Sequence, residues 1–218
     1  ALVASPSNPT GTLIPAAHLK SMADFARGRG GTLIVDEIYH GLVYEGDVTT
    51  ALALADDVFV INSFSKYFNM TGWRLGWMVA PERYVPEIDK LAQNVFLAAP
   101  TPAQYAALAA FKPETLAILD ARREEFRSRR DYLVPALRGL GFDVPCLPQG
   151  AFYIFCDISG TGLGSDALCE KLLEEANVAV IPGKSFGSDR HVRFSFACGE
   201  KDIDEGLKRI LDWVKQRA

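Results

Sequence analysis

Four residues in one short stretch have side chains that could hold a phosphate group and bond covalently to a carbonyl carbon. The run Ser63-Phe64-Ser65-Lys66 supplies two hydroxyls and an amine, and Arg74 follows eight residues after the lysine. Hydroxyl and guanidinium groups bind phosphate well, and a lysine amine can form a Schiff base with an aldehyde. A lysine that binds pyridoxal phosphate needs both properties. Alone, the pattern is also typical of an ordinary loop.

Three further motifs accompany this stretch. They are Ser7-Asn8-Pro9-Thr10-Gly11, Asp36-Glu37-Ile38-Tyr39 and Val192-Arg193-Phe194-Ser195-Phe196. In order and spacing, the four motifs resemble the fold type I, class I and II pyridoxal-phosphate-dependent aminotransferases. Residues 182–187 also resemble the P-G-x-x-F-G stretch of that family. The resemblance covers the whole chain and implies a carboxy-terminal portion that lacks the amino-terminal half of such an enzyme.

The resemblance implies that three residues carry the chemistry. Lys66 would form the Schiff base with pyridoxal 5'-phosphate and then move a proton between the substrate α-carbon and the cofactor C4′. Asp36 would pair with the pyridine nitrogen and keep it protonated, so that the ring withdraws electrons. Tyr39 would donate a hydrogen bond to the phenolic oxygen of the ring.

The same resemblance implies a set of binding residues. Arg193 would bind the α-carboxylate of the substrate, a task that suits the two-pronged guanidinium group better than a lysine. Asn8 would contact both the substrate and the phenolic oxygen of the cofactor. Ser63, Ser65 and Arg74 would hold the phosphate. The expected cofactor-binding residues are therefore Asn8, Asp36, Tyr39, Ser63, Ser65, Lys66 and Arg74.

Hydrophobic periodicity predicts the elements that position these residues. Short continuous apolar runs are typical of buried parallel strands, and Asp36 and Glu37 are expected just past the end of one of them. Apolar residues at helical spacing predict the helices. The predicted strands cover residues 1–4, 32–35, 58–61, 75–80, 151–156, 178–181 and 192–196. Helices are expected around residues 19–26, ended by the glycines of 28–31, from 102–111, 114–140 and 165–176, and at the carboxyl end.

This order of elements predicts an α/β fold in two parts. Residues 1–112 are expected to form the carboxy-terminal part of a pyridoxal-phosphate-binding large domain, with a mainly parallel sheet and helices. Residues 113–218 are expected to form a long connecting helix and a smaller α+β domain. The family resemblance also implies a homodimer when the protein is intact.

Composition excludes several classes of partner. The chain has 218 residues and 49% hydrophobic residues, which is typical of a globular protein. Its 23 Lys and Arg against 27 Asp and Glu give a net charge of −4, the wrong sign for a nucleic-acid binder. No membrane-spanning apolar run and no signal-peptide pattern is present, so a cytoplasmic protein is expected. The cysteines and histidines lack metal-ligand spacing, so no metal site is expected.

Two other motifs fail on context. Residues 183–187 fit the G-x-S-x-G nucleophile elbow of hydrolases, but a strand and not a helix is predicted after them. The same residues lack the first glycine of a phosphate-binding P-loop, because Val178 stands at that position. Both readings are therefore set aside.

The function expected from the resemblance is transfer of an amino group between an amino acid and a 2-oxo acid through the Lys66 Schiff base. Three alternatives stay open at this point. One is a lyase of the same fold, of the carbon-sulfur lyase or aminocyclopropane carboxylate synthase type. Another is the aminotransferase-like sensing domain of a transcription regulator. The third is an inert fragment of the enzyme.

Overall fold

The computed structural model describes residues 1–217, which form seven β-strands and six α-helices. Within these residues no helix is long and apolar enough to cross a membrane. The strands are β1 (Leu2–Ala4), β2 (Ile34–Asp36), β3 (Phe59–Ser63), β4 (Gly76–Val79), β5 (Tyr153–Asp157), β6 (Ile181–Pro182) and β7 (His191–Ser195). The helices are α1 (Ala16–Gly28), α2 (Val85–Val95), α3 (Thr101–Ala110), α4 (Pro113–Gly139), α5 (Ser165–Ala176) and α6 (Glu200–Lys215).

The chain divides into two compact units. Unit 1 consists of Ala1–Ser7 and Leu13–Arg123, and unit 2 consists of Asn8–Thr12 together with the chain from Glu124 onward. This division lies inside α4, later in the chain than the domain boundary expected at residue 112. The expected domain boundary stays a prediction. The short segment Asn8–Thr12 belongs with unit 2 although its neighbours in sequence belong with unit 1.

Unit 1 is built on a four-stranded sheet in the order β1-β2-β3-β4. The first three strands are parallel and β4 runs antiparallel to β3. Val35 and Val60 are buried at the centre of the sheet and belong to one core cluster with Leu19 and Ala23 of α1. Burial of these apolar side chains stabilises β2 and β3. The three parallel strands predicted for this part of the chain are confirmed, with ends shifted by up to two residues.

The edge strand β4 and helix α2 of unit 1 are more exposed than β2 and β3. All four residues of β4 are solvent-accessible, and α2, which the sequence reasoning did not predict, has no buried residue. Met78 of β4 is 42% exposed, and Leu91 and Val95 of α2 are 65% and 76% exposed. The predicted strand over 75–80 is therefore present. Leu75 packs against the buried cluster around Phe64, whereas Met78 and Val79 stay exposed.

Unit 2 is built on a three-stranded antiparallel sheet in the order β5-β7-β6. Ile154 of β5 and Val192 of β7 are completely buried. Helix α6 carries acidic residues in its first turn, which favours a helix N-terminus, and buries Ile203, Ile210 and Trp213. The predicted α+β character of this part follows from these elements.

The strand predicted over 178–181 is mostly wrong. Only Ile181 and Pro182 pair with β7. Asn177 adopts a left-handed conformation, and the Val178 amide donates back to Leu172 O at 2.9 Å. These bonds are the closing hydrogen bonds of α5, so the backbone of residues 177–178 ends the helix and is not available to a strand.

Candidate active site

Two predicted catalytic residues of unit 1, Asp36 and Lys66, lie at or just after the carboxyl ends of two adjacent strands. Asp36 is the last residue of β2 and lies in register with Ile61 of β3. It was expected just past the strand, but the Ser5 amide still pairs with Asp36 O at 3.1 Å, which keeps it in the sheet. Lys66 follows three residues after the end of β3. The carboxyl ends of adjacent parallel strands are the usual ligand-binding edge of an α/β sheet.

Two serines form a compact hydroxyl pair at the start of the lysine loop, residues 63–74. Ser63 Oγ lies 2.9 Å from Ser65 Oγ and accepts a hydrogen bond from the Ser65 amide at 3.0 Å. It also lies 3.2 Å from the carbonyl oxygen of Leu75. Both serines are half-buried. Their hydroxyls are therefore held close together, as two donors to one anion must be.

Arg74, the predicted third phosphate ligand, lies at the end of the lysine loop. Its backbone is left-handed with φ 54°, and its Nη1 donates to Thr71 O at 3.0 Å. The Thr71 hydroxyl in turn donates to Ser65 O at 2.5 Å, so the two ends of the loop are joined. No acidic residue occurs between Asp57 and Glu82 in the sequence, so the loop carries an excess of positive charge. Two hydroxyls and a guanidinium in a basic loop fit a phosphate group.

Aromatic packing around Phe64 stabilises the lysine loop. Phe64 is 7% exposed and its ring lies 5.0 Å from Phe68, 5.1 Å from Trp77 and 5.7 Å from Phe111. Such edge-to-face and tilted arrangements are favourable for aromatic rings. Because Phe64 packs inward, its neighbours Ser63 and Ser65 stay at the accessible edge.

The loop after β2 is held by a buried carboxylate. Glu37 is 3% exposed and accepts hydrogen bonds from the Ala51 amide at 2.8 Å and the Thr50 hydroxyl at 3.1 Å. His40 Nδ1 lies 3.2 Å from its other oxygen. Burial lowers the pKa of His40, and the charge of Glu37 opposes that shift. Tyr39, between these two residues, is 4% exposed.

Arg193 of β7 has the contacts of a prepared carboxylate site. Its Nη1 donates to Asn8 Oδ1 at 2.7 Å. Its guanidinium carbon lies 4.1 Å from the ring centre of Tyr153 and 4.9 Å from that of Phe186. Its Nε is buried and has no hydrogen-bond partner among residues 1–217. A buried donor without a partner is costly, and a ligand carboxylate would satisfy it.

A glycine places Asn8 beside this arginine. Gly11 O accepts hydrogen bonds from the amides of Gln149 and Gly150, both at 2.9 Å, just before β5. Gly11 has φ +69°, and a Cβ there would lie 2.6 Å from Gly150 O. Only glycine fits this conformation and this close approach. The tie explains why the segment Asn8–Thr12 belongs to unit 2.

Sequence reasoning missed Tyr153 and Phe186 as neighbours of Arg193. Arg193 pairs directly with Phe155, and Tyr153 is the diagonal neighbour on the same face of β5. The strand pairing, which the sequence does not state, was needed to find this contact. Phe186 lies in the stretch 182–187 that the family resemblance had singled out, so that stretch was the available signal.

The structure distributes the predicted site residues over the two units. Unit 1 carries Asp36, Tyr39, Ser63, Ser65, Lys66 and Arg74, and unit 2 carries Asn8 and Arg193. Within unit 1, Ser63 and Ser65 are in contact, and within unit 2, Asn8 and Arg193 are hydrogen-bonded. Among the described residues no group of three His, Cys, Asp or Glu side chains is arranged to hold a metal ion.

Comparison with known proteins places this geometry in context. The family described as aminotransferase class I and II matches residues 2–210. The valine–pyruvate aminotransferase of Mycobacterium tuberculosis is 42% identical over 98% of this chain and 56% of its own length. The probable aspartate/prephenate aminotransferase of Aquifex aeolicus is 40% identical over 96% of this chain and 55% of its own length. The chain therefore spans a little more than half of these relatives.

Solved structures give the same result. An aminotransferase from Mycobacterium tuberculosis superposes with a TM-score of 0.95 at 40% identity, over 99% of this chain and 57% of that one. An aromatic aminotransferase from Pyrococcus horikoshii superposes with a TM-score of 0.93 at 33% identity, over 99% and 60%.

Proposed function

Because this chain belongs to the class I and II aminotransferase family, we propose that the full-length protein moves an amino group between an α-amino acid and a 2-oxo acid. The family and the α/β fold class predicted from the motifs are confirmed, and the family depends on pyridoxal phosphate. The proposal concerns the complete protein, since the chain spans 56% of its Mycobacterium tuberculosis relative.

One observation carries the proposal. The carboxyl ends of β2 and β3 are adjacent, and they present a carboxylate at Asp36 and an amine at Lys66 next to the hydroxyl pair of Ser63 and Ser65. This set matches the three polar parts of pyridoxal phosphate, which are a ring nitrogen, an aldehyde and a phosphate. A lyase of the same fold would need the same three groups, so product analysis is required to separate it from amino transfer.

Each residue of unit 1 has a defined task in this proposal. When bound, pyridoxal phosphate supplies an aldehyde that bonds amines and a protonated ring that stabilises negative charge on the adjacent carbon. Lys66 would supply the amine that bonds the aldehyde and, once displaced by substrate, would act as the base and acid that moves the proton. Asp36 would hold the proton on the ring nitrogen. Tyr39 would bond the phenolic oxygen, a role also proposed for Asn8.

The phosphate and the substrate are held by different residues. Ser63, Ser65 and Arg74 bind the phosphate. Arg193 binds the substrate α-carboxylate, and its unpaired Nε together with the Nη1 already bonded to Asn8 supports that role. The Tyr153 and Phe186 rings lie within cation–π distance of the guanidinium and help to orient it. The homodimer and the cytoplasmic location stay predictions.

The test is an absorption spectrum of the full-length protein with pyridoxal phosphate, recorded before and after a panel of amino acids is added. We expect a visible band that is lost in Lys66→Ala and that converts to the pyridoxamine spectrum with at least one amino acid. Product analysis accompanies it. Release of ammonia and pyruvate, with a thiol from sulfur amino acids, would identify a lyase and refute amino transfer.

A further inference from the structure

The residue directly after Lys66 is bonded to a distant helix. The Tyr67 hydroxyl donates to Asp120 Oδ1 of α4 at 2.8 Å. Arg123, one turn further along α4, lies with its Nη1 3.0 Å from the same oxygen. All three residues belong to unit 1. The side chain next to the lysine is therefore attached to a helix that is 53 residues away in sequence.

The ring of Tyr67 is also fixed. It lies against the backbone of Gly41, where a Cβ would come within 2.2 Å of the ring Cγ. Its other neighbour is Phe68, edge-to-face at 5.1 Å. Gly41 lies in the short turn His40–Leu42, immediately after Tyr39. The tyrosine thus touches the loop that follows Asp36 with its ring and α4 with its hydroxyl.

Backbone hydrogen bonds also restrain the segment around Lys66. The Asn69 amide donates to Lys66 O at 3.0 Å, and the Met70 amide donates to Phe64 O at 2.9 Å. These bonds restrain the backbone on both sides of residue 66. The anchored Tyr67 side chain further restrains the Cα of residue 67, which is joined to Lys66 by one peptide bond.

The tyrosine acts as a hydrogen-bond donor and not as an acid or base. Burial, together with the bond to Asp120, raises the pKa of Tyr67 to about 12. The phenol consequently keeps its proton near neutral pH. Its hydroxyl is a constant donor to Asp120, which suits an anchoring role.

We propose that Tyr67 is a positioning residue for Lys66, and that the hydroxyl bond from Tyr67 to Asp120, with the ring on Gly41, holds the lysine amine where the reaction needs it. The inference rests on the proposed role of Lys66. Tyr67 itself is not expected to touch the substrate. Its loss should therefore lower kcat and alter the environment of the lysine amine, with little effect on KM.

The chain offers a matched control. Tyr132 of α4 donates to Asp204 of α6, also at 2.8 Å, but this pair lies in unit 2 and Tyr132 is 53% exposed. Tyr132→Phe therefore removes an equivalent tyrosine–aspartate bond far from Lys66 in sequence. An effect of hydrogen-bond loss in general would appear in both variants.

The experiment uses the full-length holoenzyme and four variants besides wild type. They are Tyr67→Phe, Asp120→Ala, Asp120→Asn and Tyr132→Phe. The readouts are kcat and KM, the pH midpoint of the visible cofactor band, and Tm. Asp120→Ala leaves the tyrosine ring in place and removes its acceptor together with the partner of Arg123, so it tests the same bond if Tyr67→Phe does not fold. Asp120→Asn keeps an acceptor oxygen.

We expect Tyr67→Phe and Asp120→Ala to lower kcat by roughly 5- to 10-fold, the effect of one hydrogen bond. Both should shift the pH midpoint of the band in the same direction and leave KM near wild type. Asp120→Asn should restore most of kcat, and Tyr132→Phe should match wild type. A fall in Tm without a change in kcat or in the midpoint would show that Tyr67 only packs, and would overturn the inference.

A Lys66→Ala sample in the same series separates the two proposals. If the band survives in Lys66→Ala, the role of Lys66 is wrong and the inference about Tyr67 falls with it. If the band is lost in Lys66→Ala while Tyr67→Phe and Asp120→Ala behave as wild type, only the positioning role is refuted.

Discussion

Lys66 and Arg193 are the two cations on which the proposed reaction depends, and the chain holds them in different ways. Lys66 lies in a loop whose backbone is closed by bonds within residues 63–75. Arg193 lies in a strand and is held by side chains from other segments, namely Asn8, Tyr153 and Phe186. A loop residue needs many local bonds to gain a fixed position, whereas a strand residue receives its position from its cross-strand neighbours.

This difference has a functional consequence. Damage at the lysine end should appear in kcat and in the cofactor spectrum, because the amine takes part in bond changes. Damage at the arginine end should appear mainly in KM, because the guanidinium binds a carboxylate that does not react. Variants at Lys66 and at Arg193 test this difference between effects on kcat and effects on KM.

The largest effect is expected at Lys66. Lys66→Ala removes the amine that carries the proton, and kcat should fall by about 10⁴-fold or more. The control is Lys171→Ala, on the exposed side of α5, where the lysine only pairs with Glu175. Steady-state kinetics of the full-length protein measures both. Turnover of Lys66→Ala within tenfold of wild type would contradict the assignment.

Asp36→Asn should have the next largest effect. The amide keeps an acceptor oxygen for the Ile38 amide, now bonded at 3.0 Å, but loses the charge that holds the ring nitrogen protonated. We expect kcat to fall by roughly 10² to 10³-fold, as for loss of one electrostatic contact to the reacting system. Asp24→Asn, on the exposed face of α1, serves as control. An effect confined to KM would argue against a role at the cofactor.

Arg193→Lys tests the other end of the comparison. A lysine keeps the charge but loses the two-pronged geometry, so KM for the amino acid should rise by roughly 10- to 100-fold. The visible band of the bound cofactor should not change. Arg190→Lys is the matched control, because Arg190 lies in the same region but is 73% exposed and pairs with Asp157. A spectral change in Arg193→Lys without a change in KM would contradict the proposed role of Arg193 in substrate binding.

The smallest effect concerns stability at acidic pH. The folded state lowers the pKa of His40, chiefly by burial, so protonation favours the unfolded state. The contribution of His40 is therefore fully present above its unfolded pKa of about 6.5 and is lost as the pH falls through the lower folded value. Tm should drop below about pH 6.5 in wild type, and less steeply in His40→Gln. An equal drop in both proteins would assign the effect to other groups.

The sequence was sufficient for the parts of the molecule in which local pattern and position coincide. Strands β1 to β3 are short apolar runs, and the motif residues lie at or just after their carboxyl ends, with Asp36 still inside β2. Residues 178–180 were wrongly assigned to a strand because the apolar pattern does not reveal that Asn177 closes α5 in a left-handed conformation. Helix α2 was missed although Val85, Ile88, Leu91 and Val95 recur at helical spacing, a signal that the sequence did offer.

The contacts around the cations could not be predicted for another reason. The bond between Tyr67 and Asp120 and the contact between Arg193 and Tyr153 join segments far apart in the chain. Neither pair has a spacing that a local pattern would indicate. Such contacts depend on strand register and helix placement, which only the folded chain defines.

Covalent labelling of the cofactor lysine tests the central claim most directly. The full-length protein with pyridoxal phosphate is reduced with borohydride, digested, and its peptides are weighed by mass spectrometry. The account predicts one pyridoxyl group on the peptide that contains Lys66, and none when excess amino acid is added first. A pyridoxyl group on another lysine in an active preparation, or none at all, would contradict it.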